Sequence, residues 1–147
     1  MARSVTFVEV NGQTLEPGAD LRELDLRELD LRELDLREAN LSGANLEGMN
    51  LYKVILNKAN LKGANLSGTH MPKVDFRGAN LEGANLTDVR SATGTGFGGA
   101  NLTDAANLGT TTGSAYYSAQ TNFTNAWDTA HGGGTFDPVA AGWTLVP

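Results

Sequence analysis

The sequence predicts an all-β solenoid, a chain wound into stacked coils of four short sides, and three observations predict it. A large apolar residue stands at every fifth place from Leu21 to Leu86, fourteen times without a slip. A second apolar or small residue stands two places before each of them, from Ala19 to Ala84. The places between are polar or glycine, with Tyr52, Ile55 and Pro72 as the exceptions.

A period of five suits neither regular structure. On an α-helix a step of five turns about 500°, so successive leucines cover no single face. On a straight strand an odd step sends each leucine to the opposite side. The pattern is consistent only if the chain turns a corner within each repeat, pointing each Leu and its smaller companion toward one axis. Four corners of about 90° close a coil of about 20 residues, and coils about 4.8 Å apart bond each to the next. A lone coil cannot bury its own leucines, so stability is collective.

Ala-Asn-Leu-Ser-Gly, Ala-Asn-Leu-Glu-Gly, Ala-Asn-Leu-Lys-Gly and Ala-Asn-Leu-Thr-Asp resemble the A(D/N)Lxx unit of pentapeptide-repeat proteins. The resemblance covers residues 19–88 and implies a right-handed quadrilateral β-helix. It implies little about function. Known members of that family include DNA-mimicking gyrase inhibitors, while most have no known biochemical role.

One domain of 147 residues is expected, with four parts. Residues 4–15 read as a hairpin, because Val5, Phe7, Val8 and Val10 lead into Asn11-Gly12 and Thr14-Leu15 follow. Pro17-Gly18 turns the chain into the first coil. The hairpin is assigned as an N-terminal cap, with Phe7 and Leu15 as plugs, since a solenoid end exposes strand edges and apolar side chains. Residues 19–88 form the strict coils. Two sides carry Asn columns, Asn40, Asn60 and Asn80 on one and Asn45, Asn65 and Asn85 on the other. The remaining two carry larger minor interior residues, Leu29, Met49 and Thr69 with Leu34, Val54 and Val74.

Residues 89–125 are expected to form at least one irregular coil with loops. No Leu stands where one is due after Leu86, Phe97 and Leu102 resume the fives one place late, and Leu108, Tyr117 and Phe123 follow at uneven spacing. Residues 126–147 are assigned as an irregular C-terminal cap. Asp137-Pro138-Val139-Ala140-Ala141-Gly142 is a one-turn helix signal, and Trp127, Phe136 and Trp143 supply apolar area.

The net charge is −6, and Asp20 to Glu38 hold eight acids against four Arg. Stacking predicts four opposite-sign neighbours in successive coils, Arg27 over Glu47, Glu33 over Lys53, Glu38 over Lys58 and Lys62 over Glu82, and one clash, Lys53 over Lys73. No basic stripe marks a nucleic-acid binder. Cysteine is absent, which excludes disulfide and thiolate chemistry. Met1-Ala2-Arg3-Ser4 leads into no long apolar run, so neither a signal peptide nor a membrane span is expected. A soluble chain is expected, the cytoplasm favoured.

The residues offer no catalytic set. His70 and His131 stand far apart with no carboxylate spacing suited to a metal, and Gly94 to Gly99 lack the Lys-Ser/Thr of a phosphate loop. Sequons at Asn40, Asn65, Asn85, Asn101 and Asn122 are products of the repeat. No enzyme activity, catalytic residue, metal or cofactor is expected. One feature breaks the polar exterior. Tyr52, Ile55, His70 and Pro72, beside Lys53, Lys73 and Arg32, gather on the third side or its corner with the fourth, a candidate protein-contact patch. The reading is a non-enzymatic structural or protein-binding solenoid, monomeric, with a weak dimer as the alternative state. The rival is a DNA-mimic inhibitor of DNA gyrase or topoisomerase, disfavoured by the mixed Arg and Glu ring and by strict coils only about 17 Å long.

Overall fold

A computed structural model describes residues 8–106, 115–124, 126 and 136–147. Phe7, Leu108, Trp127 and His131, named in the reading of the sequence, lie outside the described residues. The described chain is all-β, without a helix, and winds as a β-helix.

The winding is fixed by the backbone. Parallel bridges join Asp20 to Asn40, Asn40 to Asn60 and Asn60 to Asn80, and Asp25 to Asn45, Asn45 to Asn65 and Asn65 to Asn85, a constant step of 20. Each bridge is a bonded pair of coils: the Leu41 N–H donates to the Asn60 carbonyl at 2.7 Å and the Asn60 N–H to the Ala39 carbonyl at 2.9 Å. Within a coil each side closes on itself, as where the Ala44 N–H donates to the Leu41 carbonyl at 3.0 Å. The corner that follows takes positive φ. Glycine holds many of these corners, and Glu33, Glu38, Lys53, Lys58 and Lys73 hold others at φ of 56–62°.

Inside, the leucines of every fifth place are buried from Leu21 to Leu86, with Met71 and Phe76 in the same rows. Their companions Ala39, Ala44, Ala59, Ala64, Ala79 and Ala84 are buried too, because only a methyl fits beside the Leu column on those sides. In the first coil the companions are Leu24, Leu29 and Leu34. They are half-buried and pack on the core from its rim.

After Leu86 one residue is inserted. The bridges lengthen to 21, His70 to Ser91, Asp75 to Gly96, Asn80 to Asn101 and Asn85 to Ala106. Val89 stays inside as a companion, Arg90 is exposed, and Ala92 takes the interior place due to a leucine. The five-residue pattern then continues through Thr95, Phe97, Ala100, Leu102 and Ala105, all buried. Thr95 is tolerated there because its hydroxyl donates to the Met71 carbonyl.

The paired strands are β1 (Glu9–Val10), β2 (Gln13–Thr14), β3 (Tyr116–Tyr117) and β4 (Thr144–Leu145), of which β3 continues a coil side, Tyr116 bridging Gly96. β1 and β2 pair antiparallel through Asn11 and Gly12, whose φ of 48° and 77° suit the tight two-residue turn that Asn-Gly favours. Leu15 follows and is buried. β3 and β4 pair in parallel, Tyr116 with Thr144 and Tyr117 with Leu145. Between β3 and β4, Asp137 accepts the backbone N–H groups of Val139 and Ala140 at 2.9 and 3.2 Å. The Trp143 N–H donates to the Pro138 carbonyl and the Gly142 N–H to that of Val139, with Gly142 at φ 77°, the two bonds of a helix-ending motif closed after a single turn. This turn presents Trp143 to the open interior. Phe76, Phe97 and Trp143 form one stack with centroids 5.1 and 4.8 Å apart, and Phe123 and Phe136 pack around it.

Candidate functional site

Two sides of the solenoid are ladders of asparagine. Asn60 donates from Nδ2 to Asn40 Oδ1 at 3.2 Å, Asn80 to Asn60 at 3.3 Å, Asn101 to Asn80 at 3.1 Å and Asn122 to Asn101 at 3.3 Å. Asn45, Asn65 and Asn85 do the same on the next side. Each Oδ1 also accepts the backbone N–H two residues on, as Asn40 does from Ser42 at 3.2 Å and Asn80 from Glu82 at 3.2 Å. Asn suits a stack of identical side chains because it carries both donor and acceptor. These faces are saturated and uniform, and offer a partner nothing distinctive.

The first coil solves the same problem with aspartate. A carboxylate has no donor, so the residue two places on supplies one: Arg22, Arg27, Arg32 and Arg37 each grip Asp20, Asp25, Asp30 and Asp35 through two nitrogens at 2.5–3.0 Å. The grip on Asp25 and Asp30 lowers their carboxyls from the ordinary 3.8 to about 2. Arg27 thus pairs with Asp25 of its own coil, while Glu47 of the next coil adds to the upward shift of its guanidinium, the neighbour that stacking predicts. Glu38 and Lys58 form no ion pair among the described residues. The aspartate two residues away is held by the same turn, so its bond costs less side-chain ordering than one to the next coil. Between coils, Lys53 meets Glu33 at 3.7 Å and Lys62 meets Glu82 at 2.9 Å.

The six patch residues fall on two adjacent stretches, residues 49–58 and 69–78. Asn50 bridges His70, and the Lys53 N–H donates to the Pro72 carbonyl at 3.1 Å, so Tyr52-Lys53 lie directly against Pro72-Lys73. Tyr52, Ile55, His70 and Pro72 are half-buried, because coils on either side cover their flanks, while Lys53 and Lys73 are exposed. Lys53 Nζ stands 4.9 Å from the Tyr52 ring centre. The Tyr52 side chain and, after it, the Glu33 carboxylate raise the Lys53 ammonium above its ordinary 10.5.

Ile55 has a structural task that the sequence did not reveal. It bridges Asp35 on one side and Asp75 on the other. An aspartate at its place would stack three carboxylates at β spacing, whereas Ile55 keeps two arginine-bound ones apart: Arg37 holds Asp35 and Arg77 holds Asp75. Burial pushes the Asp75 carboxyl up, but the bonds from Arg77 outweigh it and the net shift is downward.

Beside Tyr52 lies a shallow cleft of about 410 Å³ lined by Asp30, Arg32, Glu33 and Tyr52. It adjoins a break in the ladder. Among the described residues no bridge joins Asp30 to Asn50, although Asp25 bridges Asn45 and Asp35 bridges Ile55. Leu29 and Met49 are the bulkiest pair of companions in the first two coils, against Leu24 with Ala44 and Leu34 with Val54, and the ladder is broken beside them. Among the described residues no group of three or more His, Cys, Asp or Glu could hold a metal ion, and no helix is long and apolar enough to cross a membrane.

Eight copies of the family described as Pentapeptide repeats match residues 19–57 and 55–90. No curated protein sequence matches the chain. Among solved structures, the chain is similar to the pentapeptide repeat protein Rfr23 from the cyanobacterium Cyanothece 51142, at 30% identity over 77% of this chain and 60% of that one, with a TM-score of 0.46. It is also similar to a pentapeptide repeat protein of the Arabidopsis thaliana thylakoid lumen, at 34% identity over 58% of this chain and 66% of that one, TM-score 0.31. A third is full-length QnrB1, a plasmid-mediated fluoroquinolone resistance protein, at 16% identity over 86% of this chain and 91% of that one, TM-score 0.26. The chain thus spans somewhat under two thirds of the first two proteins' length.

The aspartate grip has a pH signature. A carboxyl lowered in the folded state stabilises the fold fully above its unfolded value near 3.8, and that contribution is lost as pH falls from there through about 2. In the Arg27→Gln variant, Asp25 is expected to titrate at an ordinary carboxylate pH, followed by carboxyl NMR. An unchanged, low Asp25 titration would show that Arg27 is not the cause. The repeats, their register and the matched family agree: the chain belongs to the pentapeptide-repeat family over residues 19–90.

Proposed function

We propose that this chain is a non-enzymatic protein-binding scaffold, a right-handed quadrilateral β-helix whose irregular side, built from residues 49–58 and 69–78, is the contact surface. One observation carries the reading. Between residues 39 and 88 the outward places are Asn ladders, hydroxyls, charges and glycine, except at Tyr52, Ile55, His70 and Pro72, which share two neighbouring coils with Lys53 and Lys73. An aromatic ring, a proline and cations beside a cleft are the materials of a protein-contact surface. A benzophenone side chain replacing Tyr52 is expected to cross-link a specific protein in a lysate of the source cell. Excess unlabelled chain should suppress that adduct, and the same group replacing Ser42 on an Asn side should give none. Equal labelling from both positions contradicts the assignment.

Both ends of the tube are covered on this reading, the first by β1–β2 with Leu15, the second by β4 and the stack through Trp143. The support is the burial of Leu15 and Trp143 and the pairing of β4 along β3, which occupies an edge otherwise open to a second chain. Removing residues 136–147 is therefore expected to give a protein whose light-scattering mass rises with concentration. A truncated chain that stays monomeric would remove the covering role.

The second reading, a DNA-mimic inhibitor of DNA gyrase or topoisomerase, draws on the acidic balance of −6. The four aspartates of the first coil are each bound by an arginine, which breaks up the stripe of free carboxylates such mimicry requires. Gyrase supercoiling inhibited by about 1 µM of this protein, an affinity near −8 kcal/mol, would favour this second reading.

A further inference from the structure

The charges of the chain are sorted around the tube. Residues 49–58 carry Lys53 and Lys58 and no acid, and residues 69–78 carry Lys73 and Arg77 against Asp75, a net of +3 in a chain of −6. The Asn sides of the same coils, residues 39–48, 59–68 and 79–88, hold Glu47, Lys62, Glu82 and Asp88, a net of −2. All the surplus positive charge of these coils therefore lies on the side that also bears Tyr52, Ile55 and Pro72.

The cations there are unequally satisfied. Arg77 grips Asp75 at 2.6 Å and Lys53 leans to Glu33 at 3.7 Å. Lys58 and Lys73 are exposed and have no ion pair among the described residues. Lys73 also stacks one coil from Lys53, a like-charge neighbour that raises the energy of the free surface. The stems lie over the glycine corners of the next coil, where a Cβ on Gly94 would stand 3.4 Å from Lys73 Cγ and one on Gly78 would stand 3.4 Å from Lys58 Cγ. Lys53 and Lys58 flank Ile55 on one five-residue side, and Lys73 lies one coil below Lys53.

We infer that the contact surface takes an acidic protein segment, with its carboxylates on Lys53, Lys58 and Lys73 and an apolar or aromatic side chain against Tyr52, Ile55 and Pro72. The inference rests on the protein-binding reading above and names the chemistry of the partner. An anionic partner relieves the repulsion between Lys53 and Lys73 that Glu33, which pairs with Lys53 alone, leaves in place. A nucleic acid suits the surface poorly, because its continued phosphate chain would run onto the carboxylates of the first coil, Glu33 and Glu38 at the same two corners. A lipid surface would need more apolar area than four half-buried side chains present.

The test is selection from a phage library of random twelve-residue peptides on the immobilised full chain, beside binding of a single-stranded oligonucleotide and of phosphatidylserine vesicles. Enriched peptides are expected to be acidic and to carry an apolar or aromatic residue. Their affinity should fall about tenfold or more in the Lys53→Glu, Lys58→Glu, Lys73→Glu variant, and fall again as salt screens the wild type. Because glutamates replacing Lys53 and Lys73 would stack on Glu33, the Lys53→Gln, Lys58→Gln, Lys73→Gln variant separates loss of binding from loss of fold: it adds no like charge at these corners and should weaken the same peptides about tenfold. Lys62→Gln, on an Asn side, should leave affinity unchanged. Neutral or basic peptides that lose binding when Tyr52 and Pro72 are replaced by serine would overturn the acidic class and leave the contact surface standing. Failure to enrich any peptide sensitive to those residues would remove both. Preferred binding of the oligonucleotide or the vesicles would also overturn the inference.

Discussion

Every structural feature described above answers to one constraint: the carbonyls of each coil must meet the N–H groups of the next. The bonds from Leu41 to Asn60 and from Asn60 to Ala39 are single instances of a ladder that runs from Asp20 to Asn122. Because the ladder joins equal places, an added residue must be taken up at one corner so that the places beyond it still meet their counterparts. The residue inserted before Ala92 shows this. It shifts the bridges from 20 to 21 on all four sides and leaves the pattern of sides intact beyond it. The apolar interior follows from the same register, since it stacks Leu21, Leu41, Leu61, Leu81 and Leu102 in one row and excludes them from water together.

The ladder also makes each outward side chain the neighbour of its counterpart at β spacing, so a residue must tolerate what stands above and below it. Asparagine tolerates itself by donating to one neighbour and accepting from the other. Aspartate does not, and is found with an arginine two places on or with Ile55 between two copies. Lysine stacked on lysine is only partly relieved within the chain, since Glu33 reaches Lys53 at 3.7 Å and Lys73 has no ion pair among the described residues. The place where self-stacking is least well resolved, Lys53 on Lys73, is also where the polar exterior gives way to Tyr52 and Pro72. That coincidence is the physical basis of the proposed contact surface.

Much of this is readable from the amino-acid order, because period and composition set it directly. The leucine frame gives the 20-residue step, Asn11-Gly12 gives the β1–β2 turn, and Asp137, Pro138 and Gly142 give the single turn before Trp143. What escapes is decided by side-chain reach. The arginines bind aspartates of their own coil, a choice between two acids that spacing alone leaves open. Leu24, Leu29 and Leu34 read as interior residues, yet they sit half-buried at the rim, since the first coil has no coil above it to close over them. The missing bridge between Asp30 and Asn50 lies beside Leu29 and Met49, which come from different coils, and the stack of Phe76, Phe97 and Trp143 joins residues far apart in the chain. At the candidate site the residues were legible, while the spacer role of Ile55 and the unpaired state of Lys58 and Lys73 required neighbours from other coils.

Amide hydrogen exchange under native conditions tests the central claim, that one ladder holds the coils as a collective unit. The N–H groups of Asn40, Asn60 and Asn80 lie in three successive coils and each donates to the coil before. They are predicted to exchange only through a shared opening, with one common free energy and one common dependence on denaturant, while the N–H of Asn50, beside the break in the ladder, exchanges faster. Separate opening energies for Asn40, Asn60 and Asn80, each with its own small denaturant dependence, would contradict the account.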